Sequence, residues 1–266
     1  MEIPALQGLL IDLDGVLYVG NQPIEGAREA LQAISDRGIV RRFITNTTTR
    51  TTIEVVEKLN HMGFAVDKGE VFSAVTATVS FLRKQKGGNP SVELIVRDSV
   101  RPEFNEFPAD DEYPDFVVVG DIGAAWSYPL MNRAFRQILN GAELIAMHKN
   151  KFFQGEDGLL LDIGAFVQGL EFATGQTARI IGKPTRDFFA HALASLNLPA
   201  KQVAMIGDDI ESDVGGGQAI GLGGILVTTG KFREVTFEAS AVEPDLILQS
   251  IADLPEVLKE QDMLPE

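Results

Sequence analysis

Apolar runs alternate with segments of helical period at both ends of this 266-residue chain. Near the N-terminus, residues 8–12 and 39–45 are predicted strands, and each is followed by a segment in which apolar residues recur every three to four positions. The same alternation returns near the C-terminus, with predicted strands at 179–181, 202–206, 223–227 and 245–248. Strands that alternate with helices in this way lie parallel in one sheet. The sequence therefore predicts an α/β fold with a parallel sheet.

The middle of the chain has an alternation of its own. It predicts strands at 92–96, 116–119 and 144–147, and helices at 129–139 and 165–174. The simplest arrangement is a discontinuous core domain, residues 1–72 and 179–266, with an inserted α/β domain over residues 73–178.

Composition and charge exclude several classes of function. Lys and Arg total 23 against 38 Asp and Glu, which gives a formal net charge of −15. Nucleic acids and anionic membranes attract basic surfaces, so neither is an expected partner. The chain has no Cys, which excludes disulfides and thiolate chemistry. No apolar run reaches the roughly 18 residues of a membrane span, and no signal peptide is recognisable. We therefore expect a cytoplasmic protein.

Polar side chains follow four of the predicted strands. Functional residues of open α/β sheets lie at the carboxyl ends of strands. Each cluster alone is typical of an ordinary structural feature: a solvated turn, a helix N-cap, a surface lysine, or the acidic first turn of a helix predicted over 209–220. Together they form an ordered set, namely Asp12 with Asp14, Thr45 with Asn46, Lys183, and Asp208 with Asp209 and Asp213.

This set of side chains has the composition required for phosphoryl transfer. A carboxylate can attack phosphorus, and a second carboxyl group can protonate the leaving oxygen and later deprotonate water. Carboxylates from two strands can hold Mg²⁺, which prefers oxygen ligands. A hydroxyl group, backbone N–H groups and a lysine can bind the remaining phosphoryl oxygens. These residue types together indicate metal-assisted phosphoryl transfer through a covalent intermediate.

The stretches "DLDGVLY", "FITNTTTR", "IGKPTRDFF" and "MIGDDIESDVGG" resemble, in order, the four motifs of the haloacid dehalogenase superfamily. The insert between the second and third motifs resembles the large α/β cap of its NagD-like branch. The resemblance implies a Rossmann-like core with a cap of the C2 type, a Mg²⁺ cofactor and a small phosphorylated substrate. Pyrophosphate and phospho-amino acids are among the substrates of relatives, and the branch commonly forms homodimers through its caps.

The resemblance also implies a role for each matching residue. Asp12 would be the nucleophile and a metal ligand, and Asp14 the general acid/base, whose backbone carbonyl binds the metal. Thr45 and Asn46 would bind the phosphoryl group, and Lys183 would bridge it to the nucleophile. The metal set would be completed by acidic residues of the fourth motif, namely Asp208 together with either Asp209 or Asp213, of which Asp213 is favoured.

Three matters remain open at the level of sequence. The same chemistry serves a phosphotransferase or phosphomutase, and a binding protein that retains the fold without activity is a further alternative. The physiological substrate depends on cap residues, for which His148 and Asp121 are candidates.

Overall fold

The computed structural model of the chain describes residues 6–155 and 158–262. In chain order its strands are β1 Gly8–Asp12, β2 Tyr18–Val19, β3 Gln22–Pro23, β4 Val40–Thr45, β5 Val71–Ser73, β6 Val92–Ile95, β7 Phe116–Val119, β8 Glu143–Ala146, β9 Phe152–Gly155, β10 Gly158–Leu161, β11 Arg179–Ile180, β12 Val203–Gly207, β13 Gly223–Val227 and β14 Leu246–Leu248. Its α-helices are α1 Ala27–Asp36, α2 Thr52–His61, α3 Ala74–Arg83, α4 Tyr128–Leu139, α5 Gly164–Thr174, α6 Arg186–Ala194, α7 Gly216–Gln218, α8 Glu234–Ala239 and α9 Leu254–Asp262.

The chain divides into two compact units. The first unit consists of Met1–Thr45, Val56–Phe72 and Lys183–Glu266, and the second of Asn46–Val55 and Ser73–Gly182. This division differs from the predicted domains at residues 46–55 and 179–182. The predicted domain boundaries themselves stay a prediction.

A six-stranded parallel sheet, in the order β14-β13-β12-β1-β4-β5, forms the centre of the first unit. Strand β1 is buried along its whole length, as expected of a strand with neighbours on both sides and helices over both faces. Asp12 pairs with Ile44 of β4, and Ile11 pairs with Ile206 of β12. The register therefore brings the carboxyl ends of β1, β4 and β12 to one edge of the sheet.

The second unit contains a four-stranded parallel sheet in the order β11-β8-β7-β6. The core of this unit includes fully buried residues of β7 and β8, such as Val117 and Leu144, together with Ile138 of α4 and Val167 of α5. The predicted α/β class with an inserted second sheet is confirmed.

The structure of the middle of the chain differs from the sequence prediction at three points. The strand predicted at 179–181 was assigned to the core, but β11 pairs with β8 in the sheet of the second unit. Strands β9 and β10, which form an antiparallel hairpin, were not predicted. Neither was α3, although its N-cap is well formed: Ser73 Oγ accepts a hydrogen bond from Thr76 N at 3.2 Å, and Ser73 N donates to Thr76 Oγ1 at 3.0 Å.

The helices of the described residues are too short or too polar to cross a membrane.

Candidate active site

Asp12 and Asp14 follow the same buried strand but lie in different environments. Asp12 is 4% exposed at the end of β1, whereas Asp14 is exposed to solvent. The chain turns at Gly15, whose φ is +90° and whose N–H donates to the carbonyl of Tyr18 at 2.7 Å. A Cβ at position 15 would lie 2.0 Å from Asp208 Oδ2, so glycine is required here both for its φ and for the close approach of Asp208.

Lys183 joins two buried carboxylates. Its Nζ donates a hydrogen bond to Asp12 Oδ1 at 2.7 Å and also lies 2.7 Å from Asp213 Oδ1. The lysine is only 3% exposed. Burial alone would lower the pKa of its ammonium group, but the charges of Asp12 and Asp213 outweigh burial and raise that pKa. Lys183 is therefore held in the charged form.

Asp12, Asp208 and Asp213 form a buried cluster with oxygen atoms that all lie within 4.8 Å of one another. Burial, with further repulsion from Asp12 and Asp213, raises the pKa of Asp208 well above its usual range. Burial likewise raises the pKa of Asp213, to about 6. Asp208 Oδ1 accepts no hydrogen bond from the described residues, whereas Asp213 Oδ1 forms the ion pair with Lys183. A buried carboxylate oxygen such as Asp208 Oδ1 fits a divalent cation that prefers oxygen ligands.

Asp209 and Asp213 both belong to the fourth motif, but their side chains have different hydrogen-bond partners. A π-helical turn, Ile210–Gly215, carries Asp213 back against the end of β12, where its Oδ2 accepts a hydrogen bond from Asp209 N at 3.2 Å. Asp209 instead caps this turn, since its Oδ1 accepts hydrogen bonds from the backbone N–H groups of Glu211 and Ser212. Burial opposes ionisation of Asp209, but Lys231 and the capping bond outweigh it and lower its pKa. The geometry thus brings Asp213, rather than Asp209, into the cluster.

Thr45 and Asn46 end up in different units although they are adjacent. Thr45 is buried at the end of β4, one residue beyond the partner of Asp12 in the neighbouring strand. Asn46 belongs to the second unit, where its Oδ1 would lie 2.5 Å from a Cβ placed on Gly182. Thr45 therefore shares a sheet edge with Asp12, and Asn46 packs against the segment that precedes Lys183.

Sequence reasoning missed one charged residue of this site. Lys231 follows β13, and its backbone N donates to Asp208 Oδ2 at 2.7 Å. Its Nζ lies 3.3 Å from Asp209 Oδ2 and 3.9 Å from Asp208 Oδ1. The sequence signal was a polar Thr-Thr-Gly-Lys segment after a fifth apolar strand, the same strand-end position that marked the other clusters.

Known proteins resemble this chain over almost its whole length. Residues 9–108 match the model of haloacid dehalogenase-like hydrolases, and residues 180–254 match that of HAD-like hydrolases. Haloacid dehalogenase-like hydrolase domain-containing protein 2 from Homo sapiens is 38% identical over 92% of this chain and 93% of its own length. The chain belongs to the haloacid dehalogenase-like hydrolases.

A second relative of this hydrolase is the phospholysine phosphohistidine inorganic pyrophosphate phosphatase from Rattus norvegicus, which is 36% identical over 97% of this chain and 96% of its own length. Among solved structures, a p-nitrophenyl phosphatase from Archaeoglobus fulgidus matches with a TM-score of 0.89, 30% identity and coverage of 96% and 100% of the two chains. NagD from E. coli K-12 matches with a TM-score of 0.84, 26% identity and coverage of 94% and 98%. The family and its NagD-like branch are thus confirmed.

The two matched ranges of the hydrolase contain all the predicted catalytic, phosphate-binding and metal-binding residues. The first range holds Asp12, Asp14, Thr45 and Asn46, and the second holds Lys183 and the acidic residues of the fourth motif. Residues 109–179, which neither range covers, lie within the second unit.

The two cap candidates lie at the carboxyl ends of strands in the second unit. His148 follows β8 and is 4% exposed, with Nε2 3.8 Å from Asp162 Oδ1. Asp121 follows β7; its backbone N donates to Thr48 Oγ1 at 2.8 Å, and its Oδ2 lies 3.5 Å from Arg97. A role for either residue in substrate selection stays a prediction.

Proposed function

We propose that this hydrolase is a Mg²⁺-dependent phosphatase that cleaves small phosphorylated compounds through an aspartyl-phosphate intermediate. The class of enzyme is a phosphoric monoester hydrolase, in agreement with the phosphatase names of its relatives and structural neighbours. The observation that carries the proposal is the buried cluster of Asp12, Asp208 and Asp213, joined through Lys183.

Asp12 is proposed as the nucleophile and Asp14 as the general acid/base. An oxygen of Asp12 attacks phosphorus, and the bond between phosphorus and the leaving oxygen breaks as Asp14 gives that oxygen a proton. In the second half-reaction Asp14 takes a proton from water, and the water oxygen attacks phosphorus and releases Asp12. The solvent exposure of Asp14 supports this role, because the group must exchange protons with the leaving group and with water.

Lys183 is proposed to hold the nucleophile and the phosphoryl group together. Its ion pair with Asp12 fixes the carboxylate in position, and its charge attracts an anionic substrate to an otherwise acidic site. Thr45 is proposed to bind a phosphoryl oxygen through its hydroxyl group, with Asn46 beside it. Donors held in place before reaction stabilise the charge that develops in the transition state at little reorganisation cost.

The metal is proposed to be held by carboxylates of Asp12 and Asp208 and the carbonyl of Asp14, with Asp213 orienting the set. When bound, Mg²⁺ neutralises repulsion between the nucleophile and an anionic phosphate. Asp208 Oδ1 accepts no hydrogen bond from the described residues, which supports a role for Asp208 as a metal ligand.

The nucleophile assignment is tested with Asp12→Asn. The variant should lose turnover of p-nitrophenyl phosphate in the presence of Mg²⁺, because an amide cannot form the intermediate. Asp36→Asn is the matched control, since Asp36 lies exposed at the end of α1; it should keep full activity. Retained activity in Asp12→Asn would contradict the assignment.

The substrate class is best approached from the names of relatives. One relative is called a phosphatase of phospholysine, phosphohistidine and inorganic pyrophosphate, so these three compounds belong in the first panel, beside sugar phosphates and nucleotides. Turnover of the panel by wild-type protein, with Asp12→Asn as the blank, would rank the compounds.

We further propose that the protein is cytoplasmic and forms a homodimer through the second unit. Large exposed apolar side chains of this unit support the dimer, among them Phe172 at 90%, Tyr128 at 81% and Leu161 at 64% exposure. Exposed apolar side chains are typical of contact surfaces between proteins where they form one patch. Sedimentation equilibrium should give twice the chain mass, and a monomer at micromolar concentration would contradict the dimer.

A further inference from the structure

Three consecutive residues of the loop after β13 approach either Asp208 of the acidic cluster or the turn at Gly15 beside it. Thr229 Oγ1 donates to the carbonyl of Gly15 at 2.5 Å. Gly230 has φ +65°, and a Cβ there would lie 2.2 Å from Asp208 Oδ2. Lys231 N donates to that same oxygen at 2.7 Å. The loop is therefore held against the site by the Thr229 hydroxyl group and the Lys231 backbone N–H, which fixes where the Lys231 side chain begins.

The charges of the site are unequal in number. Four carboxylates, those of Asp12, Asp208, Asp209 and Asp213, lie in contact with two ammonium groups, those of Lys183 and Lys231. When all four carboxylates are ionised, two negative charges have no ammonium group to balance them. One divalent cation carries the charge that neutralises both.

The two lysines occupy different positions in this cluster. Lys183 lies between Asp12 and Asp213 and is 3% exposed, whereas the side chain of Lys231 faces Asp208 and Asp209 and is 27% exposed. Lys231 Nζ is 3.9 Å from Asp208 Oδ1, which is the oxygen that accepts no hydrogen bond in the described part of the chain. Lys231 thus supplies positive charge to the oxygen proposed to bind the metal.

We propose that Lys231 is a positioning residue that balances the charge of Asp208 and Asp209 and thereby sets the affinity of the site for its divalent cation. This inference rests on the proposed function, since it presumes that Asp208 binds the metal. Lys231 stabilises the acidic residues when the metal is absent and competes electrostatically with the metal when it arrives. A site of this kind keeps its shape without the cation, and it binds the cation less tightly than its carboxylates alone would.

The test is Mg²⁺ binding measured by isothermal titration calorimetry on Lys231→Met and wild-type protein. Removing a unit positive charge a few ångströms from the site should tighten Mg²⁺ binding on the order of tenfold. The metal-free variant should also unfold at a lower temperature than metal-free wild type, and saturating Mg²⁺ should reduce this difference. Lys231→Arg keeps the charge and should bind Mg²⁺ like wild type.

Lys201→Met is the matched control because it makes the same change of charge at the other end of the sheet. Lys201 is exposed and precedes β12, while Asp208 follows it; the five residues of the strand separate them by about 17 Å. Its Mg²⁺ affinity should equal that of wild type. If Lys231→Met does not fold, Lys231→Gln provides the same neutralisation with a polar side chain.

The outcomes separate the inference from the proposed function. Wild-type protein that binds no Mg²⁺ would contradict the proposed metal site. If wild type binds Mg²⁺ and Lys231→Met binds it with equal or lower affinity, the metal site stands and the role of Lys231 is refuted. Tighter binding by Lys231→Met, with Lys231→Arg and Lys201→Met unchanged, supports the inference.

Discussion

Replacing Lys183 by Met should strongly destabilise the metal-free protein. The ammonium group lies 2.7 Å from an oxygen of Asp12 and 2.7 Å from one of Asp213, and both carboxylates are at least nine-tenths buried. Removing one partner of a buried ion pair costs about 3–5 kcal/mol, because the remaining charge is left without compensation. Here the remaining charges are two carboxylates that repel each other.

Protonation of Asp213 reduces this loss of stability at low pH. Burial already raises the pKa of Asp213 to about 6 with Lys183 beside it, so without the lysine this carboxyl group takes up a proton near neutral pH. We therefore expect a loss of about 3–5 kcal/mol at pH 8 and a smaller loss at pH 5. Added Mg²⁺ should restore more stability to the variant than to wild type, since the variant site carries more negative charge.

The assay is urea unfolding followed by circular dichroism, with and without Mg²⁺, at both pH values. Lys149→Met is the control: Lys149 Nζ lies 2.5 Å from a carboxylate oxygen of Glu171, and the side chain of Lys149 is 26% exposed. Its replacement should cost about 1 kcal/mol, in the range of ion pairs that reach solvent. If Lys183→Met costs no more than Lys149→Met at pH 8, the reasoning from buried charge is refuted.

Two further predictions concern pH and the loop after β13. Because the folded-state pKa of Asp213 is raised from 3.8 to about 6, metal-free protein should lose about 3 kcal/mol of stability from this group as pH rises from 4 through 6. Mg²⁺ should therefore raise the unfolding temperature more at pH 7 than at pH 5, and an equal rise would contradict this. Gly38 and Gly230 both have positive φ, but only Gly230 lacks space for a Cβ. Gly38→Ala should cost about 1 kcal/mol from backbone strain, and urea unfolding should give a larger loss for Gly230→Ala, together with weaker Mg²⁺ binding by calorimetry.

Local sequence patterns were sufficient to predict the part of the fold that carries the site. Strand β1 and the helices α4 and α5 lie within a residue of their predicted bounds, because burial on one or both faces leaves a clear periodicity in the sequence. The proximity of Asp12 and Asp208 followed from one rule, that parallel strands end at a common edge. The rule does not account for Lys183, because the strand before it, β11, pairs with β8 in the other sheet.

The remaining features depend on contacts between distant segments. β11 has only two residues, and nothing in the sequence near Arg179 says which sheet it joins; its partner β8 lies more than 30 residues earlier. The helix predicted over 209–220 begins as a π-helical turn, which the helical periodicity of its sequence does not distinguish from an α-helix. Lys231 was not predicted as a site residue, because its acidic partners lie more than 20 residues away in the chain.

The chain passes between its two units at four points, and two of these lie beside proposed catalytic groups: Thr45 is followed by the first residue of the second unit, and Lys183 is preceded by its last. Exchanging the second unit between relatives, whether in evolution or by making chimeras, would therefore place junctions within one peptide bond of Thr45 and Lys183, the residues proposed to bind the phosphoryl group. The segment taken from a relative has to keep the backbone conformation of both junctions, so that Thr45 and Lys183 hold their positions. We therefore expect chimeras that are chosen only for substrate specificity to have a reduced turnover.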